Sequence, residues 1–244
     1  CFSWDEIVNA ADFFQKQGWE EMMLKANISA AGRGNAILDD FTDSKITQWV
    51  KRQLQHGPIV VEPRIQNGID CSIQLWIEHD RCSFQGISFF KTTPRGDYLG
   101  HLIKGSTLLP KGSQRALYEQ DAVKKLCSWI GPRISQLGYC GPLGIDMLIY
   151  KHNNQFLWRP IVEVNPRYTM GMMALALEKK LGSTGVLCFL NQQALSQHYK
   201  TPVIKSISNS SKLTDGLVAL THKDHPIVAC LLAGQSALDY LEQK

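Results

Sequence analysis

The chain has 244 residues, of which 44% are hydrophobic and 20% are charged, so it can bury a substantial core in one or two domains. This composition excludes a disordered chain. The formal net charge is +4, and lysines and arginines are scattered among the acids, so we expect neither a nucleic-acid nor a membrane-surface partner. The chain also lacks the run of about 18 apolar residues that spans a membrane.

The first part of the chain predicts the element order α-β-loop-β-α-β. Ser3 followed by Glu6 has the spacing of a capping box, and apolar residues then recur at helical intervals until Gly18. The other elements predicted here are a strand at 21–26, a loop at 27–34, a strand at 36–40, a helix at 46–54 and a strand at 59–62.

The rest of the chain predicts strands and helices in alternation. Strands are predicted at 71–77, 84–91, 143–150, 160–165, 217–220 and 227–231, with a connection at 92–105. Helices are predicted at 118–137, where Gly131 and Pro132 must kink or divide the helix, at 171–181, at 185–198 and at the C-terminal end.

The cysteines indicate the compartment in which we expect the protein, and the first residue indicates whether the chain is a fragment. The seven cysteines are odd in number and have no CxxC spacing, which favours reduced thiols in a cytoplasmic protein over a disulfide or zinc framework. The chain begins with Cys1 and enters a helix signal directly, so we expect a fragment of a longer chain or a processed one.

Two neighbouring strands carry oxygen ligands. A polar turn at 151–155 separates them, so they form a hairpin in which Glu163 and Asn165 share one face and Asp146 lies near their level. Asp, Glu and Asn oxygens suit a hard cation such as Mg²⁺. The alternative is a buried polar pair, which repulsion between two close carboxylates disfavours.

A lysine ends the strand predicted at 21–26, and a loop of small residues follows it. Lys25 can place a charge beside an anion, and small side chains at 26–34 let backbone N–H groups approach phosphate oxygens. The GxxxxGK[ST] order of a Walker loop is missing. A hairpin loop without a ligand is the alternative that this segment alone leaves open.

The strand at 59–62 ends in Glu62 and continues through Ile65, with a further acid at Asp70. A strand that turns into a linker can offer backbone groups to a purine edge, and a nearby acid can accept ribose hydroxyls. The alternative is that Glu62 and Arg64 form a solvated strand end. A further cluster, His222 to His225, has a spacing that could bind metal, but a solvated turn is favoured there.

In this order, these segments resemble the ATP-grasp family over about residues 1–190, and most closely its carbamoyl-phosphate synthetase type, which has a Glu-x-Asn-x-Arg signature. The resemblance implies an α/β (α+β) ATP-grasp fold in which two α+β lobes clasp a nucleotide. We expect a small lobe at 1–63, a large lobe with the metal hairpin at 64–198, and an extension at 199–244 packed on the large lobe.

The resemblance also implies roles for single residues. Lys25 is implied to contact the nucleotide phosphates, and Gly32, Arg33 and Gly34 to form a loop that covers them. Glu62 and the backbone through Ile65 are implied to hold adenine. Asp70 is implied to hold ribose, although it lies one residue later than the expected spacing. The implied metal ligands are Asp146, Glu163 and Asn165.

Arg167 follows the metal ligands, and the resemblance implies that it stabilises charge in the transition state. An ion pair with the acids is its alternative. His101 is a further implied nucleotide contact; with Lys91, Arg95 and Lys104 it borders the nucleotide or acyl-acceptor side, where exposed loop charges are the alternative.

The activity implied by the resemblance is that of an ATP- and Mg²⁺-dependent ligase, with Mn²⁺ as a possible substitute, which joins a carboxylate to an amine through an acyl phosphate. Arg167 and Lys25 are its catalytic candidates. The alternatives are an ATP-binding module without turnover and a small-molecule kinase. Expected partners are small carboxylates and amines, a preceding domain of the same protein, and a second copy in a homodimer.

Overall fold

The computed structural model describes residues 1–27, 34–79, 81–93, 96–108, 113, 120–152, 154–180, 184–198 and 216–242. The chain divides into two compact units. The first comprises Cys1–Asn67 with Thr92–Tyr98, and the second comprises Gly68–Lys91 with Leu99–Lys244. The lobe bounds given above, 1–63, 64–198 and 199–244, stay a prediction.

The first unit contains two helices and a three-stranded antiparallel sheet in the order β2-β1-β3. Its elements are α1 (Trp4–Gln15), β1 (Met22–Ala26), β2 (Asn35–Leu38), α2 (Ser44–Leu54) and β3 (Ile59–Pro63). The predicted cap of α1 is confirmed, because Ser3 Oγ accepts a hydrogen bond of 3.2 Å from the Glu6 N–H. Gly18, with φ +90°, lies in the turn after α1.

The core of the first unit follows from the amphipathic patterns of its elements. Ile7 and Val50 are fully buried on the helices, and Met22, Leu24 and Ile59 are fully buried on the sheet. Each such side chain stabilises the unit by roughly 1.5–3 kcal/mol. The even-numbered residues of β1 point into this core, so Lys25 projects from the opposite face of the sheet.

The second unit is built on an eight-stranded sheet in the order β10-β11-β9-β6-β5-β4-β7-β8. Its strands are β4 (Ile69–Glu78), β5 (Arg81–Thr92), β6 (Tyr98–Ile103), β7 (Gly141–His152), β8 (Gln155–Asn165), β9 (Gly185–Asn191), β10 (Gly216–Ala219) and β11 (Ile227–Ala233). Its helices are α3 (Gln120–Gln136), α4 (Met170–Lys180), α5 (Gln192–His198) and α6 (Gln235–Glu242), with a 3₁₀ turn at Gly105–Leu108.

The two faces of this sheet differ in polarity along β4. Its odd-numbered residues, among them Ile73 and Leu75, are fully buried in a core shared with α3. The opposite face carries Ser72 and Gln74, which are also buried although they are polar. Helix α4 packs on this second face, where Ala174 joins a smaller apolar cluster. The polar positions of β4 therefore lie on the α4 side of the sheet.

The helix predicted at 185–198 is wrong in its first half. Residues Gly185–Asn191 form β9, which pairs with β11 and β6, and only Gln192–His198 is helical. Val186, Leu187 and Cys188 are consecutive and buried, because the strand is covered on both faces. A continuous apolar run of this kind has no period that separates a strand from a helix.

Two further predictions are corrected. The connection predicted at 92–105 contains a strand, β6 (Tyr98–Ile103), inside the sheet. Pro132 does not divide the predicted helix, because α3 runs through it from Gln120 to Gln136. Pro132 is exposed, and the Arg133 side chain donates a hydrogen bond of 2.7 Å to the Trp129 carbonyl oxygen one turn earlier. No helix in the described ranges is long and apolar enough to cross a membrane.

Candidate functional site

The predicted metal hairpin is formed by β7 and β8, whose last pair is His152 and Gln155. Asn154, in the turn between them, has φ +61°, a left-handed conformation that asparagine tolerates well. Asp146 is directly opposite Glu163 in the strand register. The hairpin and the shared level of these acids are therefore confirmed.

A bulge in β8 brings the two acids into direct opposition. Leu148 pairs with Arg159, whereas Asp146 pairs with Glu163, so three residues of β8 oppose one residue of β7. Had the outer register continued, Asp146 would face Ile161. Pro160 lies in this bulge and has no N–H for the ladder, which is a physical reason for the irregularity.

Asp146 is held by neighbours on both adjacent strands. Asn165 Nδ2 donates a hydrogen bond of 3.0 Å to Asp146 Oδ2, and Ser72 is opposite Asp146 on β4. The pKa of Asp146 is raised to about 6 in total. Burial is the largest cause and the charge of Glu163 adds to it, while hydrogen bonds from Ser72 and Asn165 and the charge of Arg167 act in the opposite direction. A cation at Asp146 and Glu163 would relieve this cost of ionisation.

Arg167 contacts Asn165 and not the acids. Its Nη2 donates to Asn165 Oδ1 at 2.9 Å, its Nη1 donates to the Tyr168 carbonyl oxygen at 3.4 Å, and its backbone N–H donates to the Asn165 carbonyl oxygen at 2.9 Å. Within the described part of the chain Arg167 forms no ion pair, so its ion-pair alternative is not what the structure shows. Because β8 ends at Asn165, Arg167 lies in the turn beyond the strand.

In the first unit, the residue predicted to contact the phosphates, Lys25, lies beside the residue predicted to contact adenine, Glu62. Lys25 pairs with Val60 in the register and Glu62 is two residues along β3, so both side chains share one face. Their side chains form an ion pair and are 22% and 15% exposed. Gly34 accepts a hydrogen bond of 2.8 Å from the Ala26 N–H, which closes the predicted loop, while Gly32 and Arg33 lie outside the described residues.

The linker after β3 is also anchored. Arg64 forms an ion pair with Glu21, and its backbone N–H donates to the Glu21 carbonyl oxygen at 2.9 Å. The hydrogen bond from Arg64 lowers the pKa of Glu21. Glu62, Arg64 and Ile65 are all half-buried, so the alternative of a solvated strand end does not hold.

Asp70 and His101 both lie in the second unit. Asp70 is half-buried on β4, two residues before Ser72 and on the same face as Asp146. His101 is 6% exposed in β6, and its ring lies 5.2 Å from that of Phe90. Burial lowers its pKa to about 3, so it is neutral at physiological pH, and the exposed-loop alternative is wrong for His101.

The structure describes two of the three other cations considered with His101. Lys91 is exposed at the end of β5, and Arg95 lies outside the described residues. The backbone N–H of Lys104 donates to Glu178 Oε2 on α4 at 3.2 Å.

The His222 to His225 turn is exposed, and His222 lies 3.6 Å from Asp224. No described group of three His, Cys, Asp or Glu side chains could hold a metal.

The sequence analysis missed the buried polar residues beside Asp146. Ser72 and Gln74 on β4, Ser88 on β5 and Thr169 before α4 are joined by hydrogen bonds. A signal was present, because polar residues alternate with apolar ones in Cys71–Ile77, but such alternation is typical of a strand with one solvated face.

Comparison with known proteins gives one sequence relative. No protein-family model matches the chain. It is 22% identical over 185 residues to the [Butirosin acyl-carrier protein]--L-glutamate ligase of Niallia circulans, which covers 74% of this chain. The chain spans 41% of the length of that ligase.

Several solved structures have the same fold. Biotin carboxylase of Campylobacter jejuni, in complex with β-γ-ATP, gives a TM-score of 0.56 at 16% identity and covers 92% of this chain and 56% of its own. N5-carboxyaminoimidazole synthetase of Staphylococcus aureus, complexed with ADP, gives 0.53 at 12% identity over 97% of this chain and 62% of its own. Pyruvate carboxylase of Rhizobium etli gives a TM-score of 0.59 at 13% identity, and the match covers 96% of this chain and 24% of the carboxylase chain. These likenesses confirm the predicted α/β (α+β) fold.

Proposed function

We propose that this chain, which has the ATP-grasp fold, is the nucleotide-binding part of an ATP- and Mg²⁺-dependent ligase that joins a carboxylate to an amine or similar nucleophile. The observation that carries the proposal is the direct opposition of Asp146 and Glu163 beside Asn165 and Arg167. The similar proteins favour ligation, since they include a glutamate ligase, a carboxylase and a synthetase.

The residues of the hairpin fit a hard divalent cation. Asp146 and Glu163 offer carboxylate oxygens, and the raised pKa of Asp146, about 6, reflects a site where a buried negative charge lacks compensation. Asn165 would offer Oδ1, which accepts a hydrogen bond from Arg167 and has a second lone pair for the cation. Bound Mg²⁺, or Mn²⁺ in its place, supplies charge neutralisation to the nucleotide phosphates.

The nucleotide contacts are proposed residue by residue. Lys25, held at the end of β1 by Glu62, is placed to contact phosphate oxygens, and the loop with Gly32, Arg33 and Gly34 covers them. The proposed base and ribose contacts are Glu62 and the backbone through Ile65 at adenine, Asp70 at ribose, and His101 as a neutral nucleotide contact.

The proposed reaction requires no protein nucleophile. A carboxylate oxygen of the substrate attacks the γ-phosphorus and ADP leaves, which forms an acyl phosphate. The amine nitrogen then attacks the acyl carbon, phosphate leaves, and the nitrogen loses a proton. Arg167 meets the negative charge that spreads over the phosphoryl oxygens during transfer, and Lys25 neutralises charge on the phosphates.

Two other activities remain open to test. A module that binds ATP without turnover has no need of Asp146, Glu163, Asn165 and Arg167 together. A small-molecule kinase would need one co-substrate and not two. The proposal also includes a cytoplasmic location, a further domain of the same protein, since the chain spans 41% of its ligase relative, and a homodimer, as in the biotin carboxylase domain dimer of Hydrogenobacter thermophilus.

The test is ADP release by the full protein with amino acids and small carboxylates offered singly and in pairs, L-glutamate among them. Release that requires a pair supports the ligase, and release with a single compound supports a kinase. ATP binding by calorimetry without any release supports a module without turnover. ATP affinity that is equal with Mg²⁺ and with chelator would remove the metal assignment.

A further inference from the structure

We propose that Gln74 is a positioning residue that holds two parts of the reaction site at once, the metal ligand Asp146 and the segment that carries Arg167. This inference rests on the proposed function and deepens it. It concerns only the second unit, in which β4, β5, β7 and α4 surround the Gln74 side chain.

All the hydrogen-bonding groups of the Gln74 side chain are used. Its Nε2 donates to Ser72 Oγ at 2.9 Å and to Ser88 Oγ at 3.2 Å, and its Oε1 accepts from Thr169 Oγ1 at 2.6 Å. Gln74 is fully buried, and Ser72 and Ser88 are 1% and 2% exposed. Because water does not reach these groups, each lost partner would leave a costly unsatisfied polar atom.

The first arm of this network leads to the metal ligand. Ser72 is directly opposite Asp146, and its hydroxyl oxygen already accepts from Gln74. With that lone pair used, the Ser72 hydroxyl keeps its proton to donate, and the Asp146 carboxylate lies on the residue opposite it. Asp146 also accepts from Asn165 on its other side, so its oxygens are held from both flanking strands.

The second arm leads to the segment after β8. Thr169 caps α4, because its Oγ1 accepts a hydrogen bond of 3.2 Å from the Met172 N–H while it donates to Gln74. Arg167 lies two residues before this anchor. The Tyr168 ring adds an edge contact with Trp76 of β4, at 6.1 Å between ring centroids. Gln74 thus anchors the end of the short turn that presents the Arg167 guanidinium.

Two glycines allow the elements to close around Gln74. A Cβ on Gly171 in α4 would lie 2.3 Å from both Gln74 Nε2 and Ser88 Oγ, and a Cβ on Gly144 in β7 would lie 2.6 Å from Thr169 Cγ2. A side chain at either position would therefore collide with the network or with Thr169. A buried network could serve the fold alone, but both outer arms of this one end at residues proposed for the chemistry.

The experiment separates the two arms with single substitutions in the full protein. Gln74→Met removes all three hydrogen bonds at similar volume, Ser72→Ala removes the first arm, and Thr169→Val removes the second. Ser88→Ala is the matched control, since Ser88 contacts the same amide and its own hydroxyl donates to the Ser72 backbone carbonyl oxygen at 3.4 Å, not to the Ser72 hydroxyl that faces Asp146. Mn²⁺ affinity of the free protein, melting temperature and the rate of ADP release are measured for each variant.

We expect Ser72→Ala to weaken Mn²⁺ binding about tenfold, the scale of an outer-shell partner. Thr169→Val should lower kcat about tenfold with Mn²⁺ affinity unchanged, and Thr169→Ser should restore it, because the capping hydroxyl is kept. Gln74→Met should show both losses, and Ser88→Ala should show neither. If Gln74→Met fails to fold, the two single-arm variants carry the test.

The inference is wrong if the folded variants bind Mn²⁺ and turn over normally, or if Ser88→Ala reproduces their losses, which would assign the network to packing alone. Glu163→Gln and Arg167→Met are assayed in parallel. If those two lose activity while the network variants do not, only the role of Gln74 fails. If all of them retain activity, the proposed function fails.

Discussion

The two units arrange their acidic residues in opposite ways. In the first unit, Glu62 is paired with Lys25 and Glu21 is paired with Arg64. In the second unit, Asp146 is opposite another acid, Glu163, and the described residues show no ion pair at either carboxylate.

This difference distinguishes charge that is balanced by the chain from charge that a ligand must balance. An opposite-charge pair across two strands stabilises the sheet without any ligand. A like-charge pair costs free energy as soon as both members ionise. Burial is the main cause of the raised pKa of Asp146, and the charge of Glu163 adds to it. We infer that ligand removal affects the second unit more than the first.

The strongest test of the comparison is Arg167→Met, because the positive charge of Arg167 acts on Asp146 although Arg167 is hydrogen-bonded to Asn165 and not to the acids. We expect ADP formation to slow by roughly two orders of magnitude or more, the scale of charge-stabilising groups. ATP affinity should change little, since the charge that Arg167 meets develops only during transfer. Single-turnover rate, ATP affinity and melting temperature are measured on one preparation of the full protein.

Arg133→Met is the matched control for this substitution. Arg133 lies on α3, on the opposite face of the sheet, and donates to the Trp129 carbonyl oxygen. Its loss should leave the rate unchanged. A near-normal rate in Arg167→Met would end the catalytic assignment, and a lower melting temperature with a modest rate effect would instead indicate an ion-pair role.

A smaller effect is expected when the pH is changed and the free energy of unfolding of the metal-free protein is measured. The pKa of Asp146 is raised from 3.8 to about 6 in the folded protein, so between these values the folded state binds more protons than the unfolded state. The stability that this group contributes is complete below about pH 4 and is lost as the pH rises through about 6, by roughly 3 kcal/mol in all. Urea unfolding in chelator at several pH values measures it.

Asp146→Asn isolates this effect, because the buried His101 acts in the opposite direction. The pKa of His101 is lowered from 6.5 to about 3, so stability from His101 is present above 6.5 and is lost as pH falls. The difference between wild type and Asp146→Asn cancels that contribution. A difference that does not change from about pH 4 to about pH 7 would contradict the burial of a costly charge at Asp146.

The hairpin could be predicted because its signals are local. Alternation along the strand puts Glu163 and Asn165 on one face, and the turn at 153–154 sets which residues of β7 they approach. The two-residue shift at Pro160 depends on how the strand relieves a missing N–H, which a single sequence does not specify.

The features that the sequence did not reveal depend on tertiary packing. The apolar run of β9 is covered on both faces, so it has no periodic pattern. Gln74 alternates with apolar neighbours, a pattern that predicts an exposed side chain, yet α4 covers that face of the sheet and Gln74 is buried. The pairing of Lys25 with Glu62 needs the register of β1 on β3, two strands separated by a whole helix.

The smallest expected effects come from neutralising the charges that the comparison contrasts. In a double-mutant cycle with Lys25→Met and Glu62→Gln, we expect a favourable coupling of about 0.5–1 kcal/mol, because both side chains are only partly exposed. In the matched cycle with Asp146→Asn and Glu163→Gln, the coupling should be unfavourable in chelator, and Glu163→Gln alone should keep or raise the melting temperature. Added Mg²⁺ should reverse the sign of the second coupling and leave the first unchanged, because a cation turns two repelling carboxylates into joint ligands.

A favourable Asp146–Glu163 coupling in chelator, or a strongly destabilised Glu163→Gln protein, would show that Glu163 has a structural ion-pair partner and that the two units do not differ in the way described.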